Sequence, residues 1–329
     1  MMQWLRLVLC ICTVGLAAGC ATPPAAPQVF TFALMGDQQY NEREEMLFPL
    51  MLEAIDATDV AFIVHVGDFK AGSDAPCTDE LYQRRRDEFD QLRHAFIFTP
   101  GDNDWVDCRR PTNGRADPLE RLQKLRDVFF RDPRSLGQRA IPLLRQSSVF
   151  ADDPLLAKYS ENAMWTHAGV VFATFNIPGS NDNLGFDPSN DREHSERTHA
   201  NVAWLTRVMT ESAKDGVKAV AIFLQANPGF EESIDSVARS GYAAFLKAFE
   251  KEARSLGKPV LFAHGDTHLF RVDQPYLSPL DKRPIANVLR VETVGSPFTD
   301  WVRITFDPLN WKQPFIVTRG GFLPPSNAD

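Results

Sequence analysis

Four Gly-Asp pairs stand at positions 36/37, 67/68, 101/102 and 265/266, where a shuffled chain of the same composition would hold about 1.6. Their placement matters more than their number, because each closes an apolar run with the character of a buried strand. Carboxyl ends of strands are where open α/β sheets gather ligands, and a glycine there permits a sharp turn that delivers the next side chain into the crevice. Carboxylates brought together in this way repel one another unless a cation neutralises them. Asp37, Asp68, Asp102 and Asp266, with His268 two residues on, therefore read as ligands of a divalent metal. One such pair alone would more naturally be a strand-ending turn or a helix cap. Four pairs together with Gly265-Asp266-Thr267-His268 favour the metal crevice.

The elements that must carry these residues alternate. Apolar strands are expected over 29–35, 60–66 and 95–99, separated by helices over 47–57 and 78–93, the pattern of βαβ units and a parallel sheet. A further helix starts where Asp117 can cap, Pro118 takes the first position and Glu120 completes a capping box. Strands over 164–167 and 170–175 joined at Ala168-Gly169 read as a hairpin. Next come a helix over 201–213, a strand over 217–224, a helix over 241–256 stopped by Gly257, and a strand over 259–264. The last fifth offers only strands, at 287–294, 301–306 and 315–318. A parallel half and a strand-rich tail predict two sheets packed face to face with helices outside. His65 and His264 fall inside apolar strands and read as core histidines, and the Pro178-Gly179-Ser180-Asn181 stretch reads as an ordinary turn.

The 329 residues are 44% hydrophobic and 24% charged, which excludes disorder, collagen and coiled coil. No linker or repeat divides the interior, so one domain is expected over 29–329. Lys+Arg 35 against Asp+Glu 43 gives a net charge of −8 with no basic cluster, which argues against binding a nucleic-acid backbone. Arg6, the apolar run 7–18 and the small residues before Cys20 resemble a bacterial lipoprotein signal over 1–19. The run is shorter than the roughly 20 residues a membrane span needs; the alternative is an uncleaved anchor or an accidental apolar start. The resemblance implies export, lipidation of Cys20, attachment to the membrane through that lipid and, with Ala21 following, outer-membrane sorting toward the periplasm, with 20–28 as a tether. Removing Cys10 and Cys12 with the signal and committing Cys20 to lipid leaves Cys77 and Cys108. Two cysteines in an oxidising compartment favour one disulfide over two separate thiols.

In order and spacing, the segments Asp37-Gln38-Gln39, Gly67-Asp68, Gly101-Asp102-Asn103-Asp104, Leu224-Gln225-Ala226-Asn227-Pro228 and Gly265-Asp266-Thr267-His268 resemble the calcineurin-like metallophosphoesterases. The resemblance covers residues 29 to about 307 and implies an αββα four-layer sandwich of two mixed sheets flanked by helices, with a two-metal site. Asp37, Asp68, Asp104 and His268 match the family directly. Gln39, Asp102, Gln225 (or Asn227) and Asp266 stand where its members carry histidine or asparagine ligands. Oxygen ligands suit Mn²⁺ or Mg²⁺, with Ca²⁺ also accommodated, better than Zn²⁺. One well-held ion is expected near Asp37, Asp68 and His268, with a weaker second site near Asp102, Asp266 and Gln225. The implied activity is hydrolysis of a phosphoric ester, a small molecule or a lipid headgroup, by a metal-bound hydroxide. Asn103 replaces the family's proton-donating histidine, and Asp104 or His264 is the substitute on offer. The competing reading is an inactive relative that keeps the crevice to bind a ligand or a metal in the cell envelope.

Overall fold

The computed structural model describes residues 28–232, 234–237, 240–274 and 283–323. The expected signal segment, most of the tether and Cys20 lie outside the described residues. The first sheet holds β1 (Phe30–Met35), β2 (Phe62–His65), β3 (Ala95–Phe98), β11 (Val302–Phe306) and β12 (Phe315–Arg319) in the order β12-β11-β1-β2-β3. The second holds β4 (Leu144–Arg145), β5 (Ala163–His167), β6 (Val170–Thr174), β7 (Ala219–Phe223), β8 (Val260–His264), β9 (Arg271–Asp273) and β10 (Val288–Glu292) in the order β4-β5-β6-β7-β8-β10-β9. Both are mixed: β1, β2 and β3 run parallel, as do β6, β7, β8 and β10, and the outer strands pair antiparallel.

Three apolar layers separate four structural ones. Between the sheets Phe32, Phe62, Val64, Phe172, Phe223 and Ile304 meet. The outer face of the first sheet is covered by α1 (Glu42–Asp56), α2 (Asp79–Asp90) and α3 (Pro118–Phe129) through Phe48, Met51, Tyr82, Phe89, Leu122 and Phe129. That of the second is covered by α4 (Pro188–Ser212) and α5 (Ala243–Leu256) through Trp204, Leu205, Phe245 and Phe249. Helices therefore lie outside two stacked sheets, as the alternation of patterns predicts.

Several boundaries differ from the sequence reading for local reasons. Helix α1 starts five residues earlier than expected, because Asn41 Oδ1 accepts from Glu44 N–H at 3.0 Å and caps an acidic first turn. Helix α4 begins at Pro188 rather than near 201, since Asp187 caps it through Ser189 and Asn190 N–H, whereas its first three turns carry little apolar signal. Asp117 caps α3, but Glu120 turns to Arg121, so the expected capping box does not form. The hairpin turn at Ala168-Gly169 has φ 46° and 84°, the primed geometry that matches strand twist. Strands β4 and β9, two and three residues long, were too short to leave a periodic signal.

Candidate metal centre

The strand topology places the ends of β1, β2 and β3 beside the end of β8, and the four Gly-Asp pairs meet there. The sharp turn, expected of the glycines, is made by aspartate at three of them: φ is 56° at Asp37, 60° at Asp68 and 83° at Asp266, with only Gly67 positive among the paired glycines. Aspartate tolerates this left-handed region better than most residues. The glycines supply room. A Cβ at Gly265 would lie 2.0 Å from Asp37 Oδ2, and one at Gly101 would lie 2.0 Å from Asp68 Oδ1.

Asp37 Oδ1 accepts from Asp266 N–H at 3.0 Å, while Asp37 Oδ2 is buried without a hydrogen-bond partner. Asp68 Oδ1 accepts from Asn103 N–H at 3.0 Å, and its Oδ2 accepts from Gln225 Nε2 at 3.0 Å and Tyr40 Oη at 3.3 Å. Asp266 Oδ2 accepts from Asn227 N–H at 2.8 Å. A Cβ built on Gly179 would stand 2.7 Å from Asp102 Oδ1 and 3.0 Å from Asp266 Oδ1, so these two oxygens share one small space. His268 Nδ1 donates to Ser296 O at 2.8 Å, and its Nε2 lies 3.8 Å from Asp37 Oδ1.

Among the described residues no Lys or Arg forms an ion pair with Asp37, Asp68, Asp102 or Asp266. Burial, reinforced by the charge of Asp266, holds the Asp37 carboxyl well above the ordinary carboxylate range; burial and the charge of Asp102 do the same at Asp68. Asp266 is pushed up to about 7 by burial and then by Asp102. Uncompensated buried carboxylates, an orphaned Asp37 Oδ2 and an imidazole nitrogen facing a carboxylate oxygen fit a hard divalent cation. No group of three His, Cys, Asp or Glu side chains among the described residues is arranged as a finished metal site.

Gln39 donates from its amide nitrogen to Glu88 at 3.2 and 3.3 Å, and its Oε1 is buried with no hydrogen-bond partner among the described residues. Gln225 joins the crevice through its nitrogen, and its oxygen accepts from Gly179 N–H. Asp104 accepts from the backbone N–H groups of Asp68 (2.9 Å), Phe69 (3.0 Å) and Gly101 (2.8 Å), so its carboxylate braces the two loops. Asn103 Nδ2 donates to Tyr40 Oη at 3.0 Å and Lys70 O at 3.1 Å. His65 lies among Phe48, Phe89, Phe96 and Phe98, and burial lowers it to about 3. His264 is lowered equally, to about 3, by burial, which leaves it uncharged at neutral pH and a poor source of a proton. Cys77 and Cys108 form a disulfide, Cα to Cα 5.7 Å, behind the Asp68 and Asp102 loops.

Sequence reasoning missed Tyr40, Lys70 and Ser180. Tyr40 follows the first strand end directly, and that position was its only signal. Lys70 Nζ is buried and donates to Ala71 O and Asn103 O at 2.7 and 2.8 Å. Ser180, in the stretch expected to be an ordinary turn, reaches Asp102 Oδ2 at 2.7 Å. Beside it opens a pocket of about 470 Å³ lined by residues that include Asn181, Asn227 and Tyr242.

No protein-family profile and no curated protein matches the chain. Among solved structures, PhoD superposes with a TM-score of 0.51 at 13% identity over 88% of this chain and 68% of that one. GAP50, the anchor in the inner membrane complex of Plasmodium, gives 0.48 at 9% identity over 91% and 92%. A phosphatase from Mycoplasma pneumoniae gives 0.43 at 11% identity over 89% and 93%. The likeness to PhoD is one of fold, two mixed sheets packed face to face with helices outside.

Proposed function

We propose that this chain is an exported, lipid-anchored, metal-dependent phosphoric ester hydrolase with an oxygen-rich centre. The observation that carries the reading is the convergence of Asp37, Asp68, Asp102 and Asp266 at strand ends, the first three buried and the last half-buried, without a Lys or Arg ion-pair partner among the described residues. Asp37 and His268 offer the best-placed free donors, Oδ2 and Nε2, with Asp68, Asp102 and Asp266 around them. The chemistry a bound divalent cation supplies here is Lewis-acid activation of water and neutralisation of charge on phosphoryl oxygens. Tyr40 and Asn103 stand beside Asp68 as neutral groups, the Tyr40 hydroxyl donating to Asp68 and the Asn103 amide to Tyr40 Oη and Lys70 O, so a phosphoryl group would have to displace one of these bonds to be held by them. Neither gives up a proton at neutral pH: burial raises the Tyr40 hydroxyl well above its ordinary value, and an amide has none to give. Esters with good leaving groups are therefore the substrates this site suits.

A second reading is a non-catalytic envelope binder. It draws support from Asp104, whose carboxylate is fully engaged by backbone amides. One experiment separates the two: strip the protein with chelator, add back Mn²⁺, Mg²⁺, Ca²⁺ or Zn²⁺, and follow release from bis-p-nitrophenyl phosphate. Turnover restored by Mn²⁺ or Mg²⁺ and abolished in Asp68→Asn supports the hydrolase. Stoichiometric metal without turnover supports the binder, and absence of metal uptake overturns both.

A further inference from the structure

The segment after β6 carries a run of strained backbone. Ser180, Asn181, Asp182 and Asn183 are all left-handed, with φ of 48°, 55°, 55° and 64°. Residues other than glycine visit this region at a steric cost and usually singly, so four in succession require surroundings that over-determine them. Those surroundings are built. Arg197, fully buried, donates to Asn176 O and Asp182 O, both at 3.0 Å, and pairs with Asp182 and Glu193. Asn181 Oδ1 accepts from Gly241 N–H at 2.8 Å. Gly179, the residue before the run, packs directly against the Asp102 and Asp266 carboxylates.

The turn delivers one hydroxyl. Ser180 Oγ lies 2.7 Å from Asp102 Oδ2 and 3.0 Å from Asp107 Oδ1. It has a single hydrogen to share between the two: the contact to Asp102 is the shorter, and Asp107 has Arg110 on its other oxygen at 2.7 Å, whereas Asp102 has no ion pair among the described residues. Among the described residues no other group donates to that carboxylate. With Oδ2 tied to Ser180, Asp102 presents Oδ1 on the side of Gly179 and Asp266.

We propose that the left-handed turn 180–183 is a strained support that holds the Ser180 hydroxyl on Asp102, making Ser180 a positioning residue for the acidic crevice. The inference rests on the cation proposed for that crevice. It is tested on the full-length chain, stripped of metal, as wild type, Ser180→Gly and Ser180→Ala, by calorimetric titration with Mn²⁺ and by thermal unfolding in chelator. Both variants are expected to bind Mn²⁺ about 10- to 100-fold more weakly, the usual effect of losing a group that orients a ligand. They part on stability: both lose the hydroxyl's bond to Asp102, but Ser180→Gly is freed of left-handed strain and unfolds roughly 2 °C higher than Ser180→Ala. Two variants that unfold at the same temperature would remove the strained support and overturn the proposal. Wild-type Mn²⁺ affinity in both variants, the mark of a merely structural hydroxyl, also overturns it while sparing the cation reading. A wild-type chain that takes up no Mn²⁺ defeats the cation reading, and the positioning role falls with it.

Discussion

Replacing Asp266 by asparagine should stabilise the metal-free protein. Asp266 is half-buried, faces Asp102 and has no Lys or Arg ion-pair partner among the described residues, and its carboxyl is raised from 3.8 to about 7. A folded-state value above the unfolded one favours folding with the proton on, and that stability is lost as pH rises from about 4 through about 7. The difference of about 3 units corresponds to roughly 4 kcal/mol of cost to the ionised folded state above pH 7. Partial exposure screens some of it, and the Asn227 N–H bond to the carboxylate loses its charge assistance in the variant. A net gain of about 1–3 kcal/mol at pH 8 follows. Asparagine tolerates the φ of 83° and retains an acceptor for Asn227 N–H. Urea midpoints in chelator at pH 4 and pH 8 measure the effect: the variant should gain at pH 8 and approach wild type near pH 4. With Mn²⁺ the order should invert, because only a chain that binds the ion gains RT ln(1 + [M]/Kd). An Asp266→Asn protein less stable than wild type in chelator at pH 8, or a difference independent of pH, would refute the argument from uncompensated charge.

Asp104→Ala leaves three buried backbone N–H groups without an acceptor; at about 1–3 kcal/mol each and less than additive, the loss should be about 3–6 kcal/mol in urea unfolding. A loss under about 1 kcal/mol would mean the brace is not needed. His65, lowered to about 3, stays neutral in the fold while the unfolded chain takes up a proton below about 6.5, so stability falls as pH drops through that range. Between pH 6.5 and 5 the contribution is about 2 kcal/mol, and His65→Phe should flatten the acid limb of stability against pH by that amount. Reducing Cys77–Cys108, with a sequence separation of 31, should cost roughly 3–4 kcal/mol by loop entropy, read as a fall in the urea midpoint with reductant.

The alternation of apolar runs and charged helices made the parallel strands β1, β2, β3, β7 and β8 legible, because a buried strand and an amphipathic helix impose different periods on the chain. The Gly-Asp pairs marked the ends of four of these runs, and the cysteine count marked Cys77 and Cys108 as partners. Each of these is a local property or a count. What a side chain does on arrival is set by partners brought from elsewhere in the chain. Gln39 and Gln225 carry the same amide, yet one meets Glu88, 49 residues on, and the other meets Asp68, 157 residues back. Asp104 became a brace because three N–H groups from two loops converge on it. The Ser180 turn has no pattern in sequence: its left-handed backbone is held by Arg197, Gly241 and Gln225, and its hydroxyl meets Asp102, 78 residues away. Sequence alone determined which residues stand at strand ends, since that follows from chain connectivity and hydrophobic period. Only the packing of two sheets decided which atoms of those residues remain open, since hydrogen bonding and desolvation depend on distances the chain order does not specify.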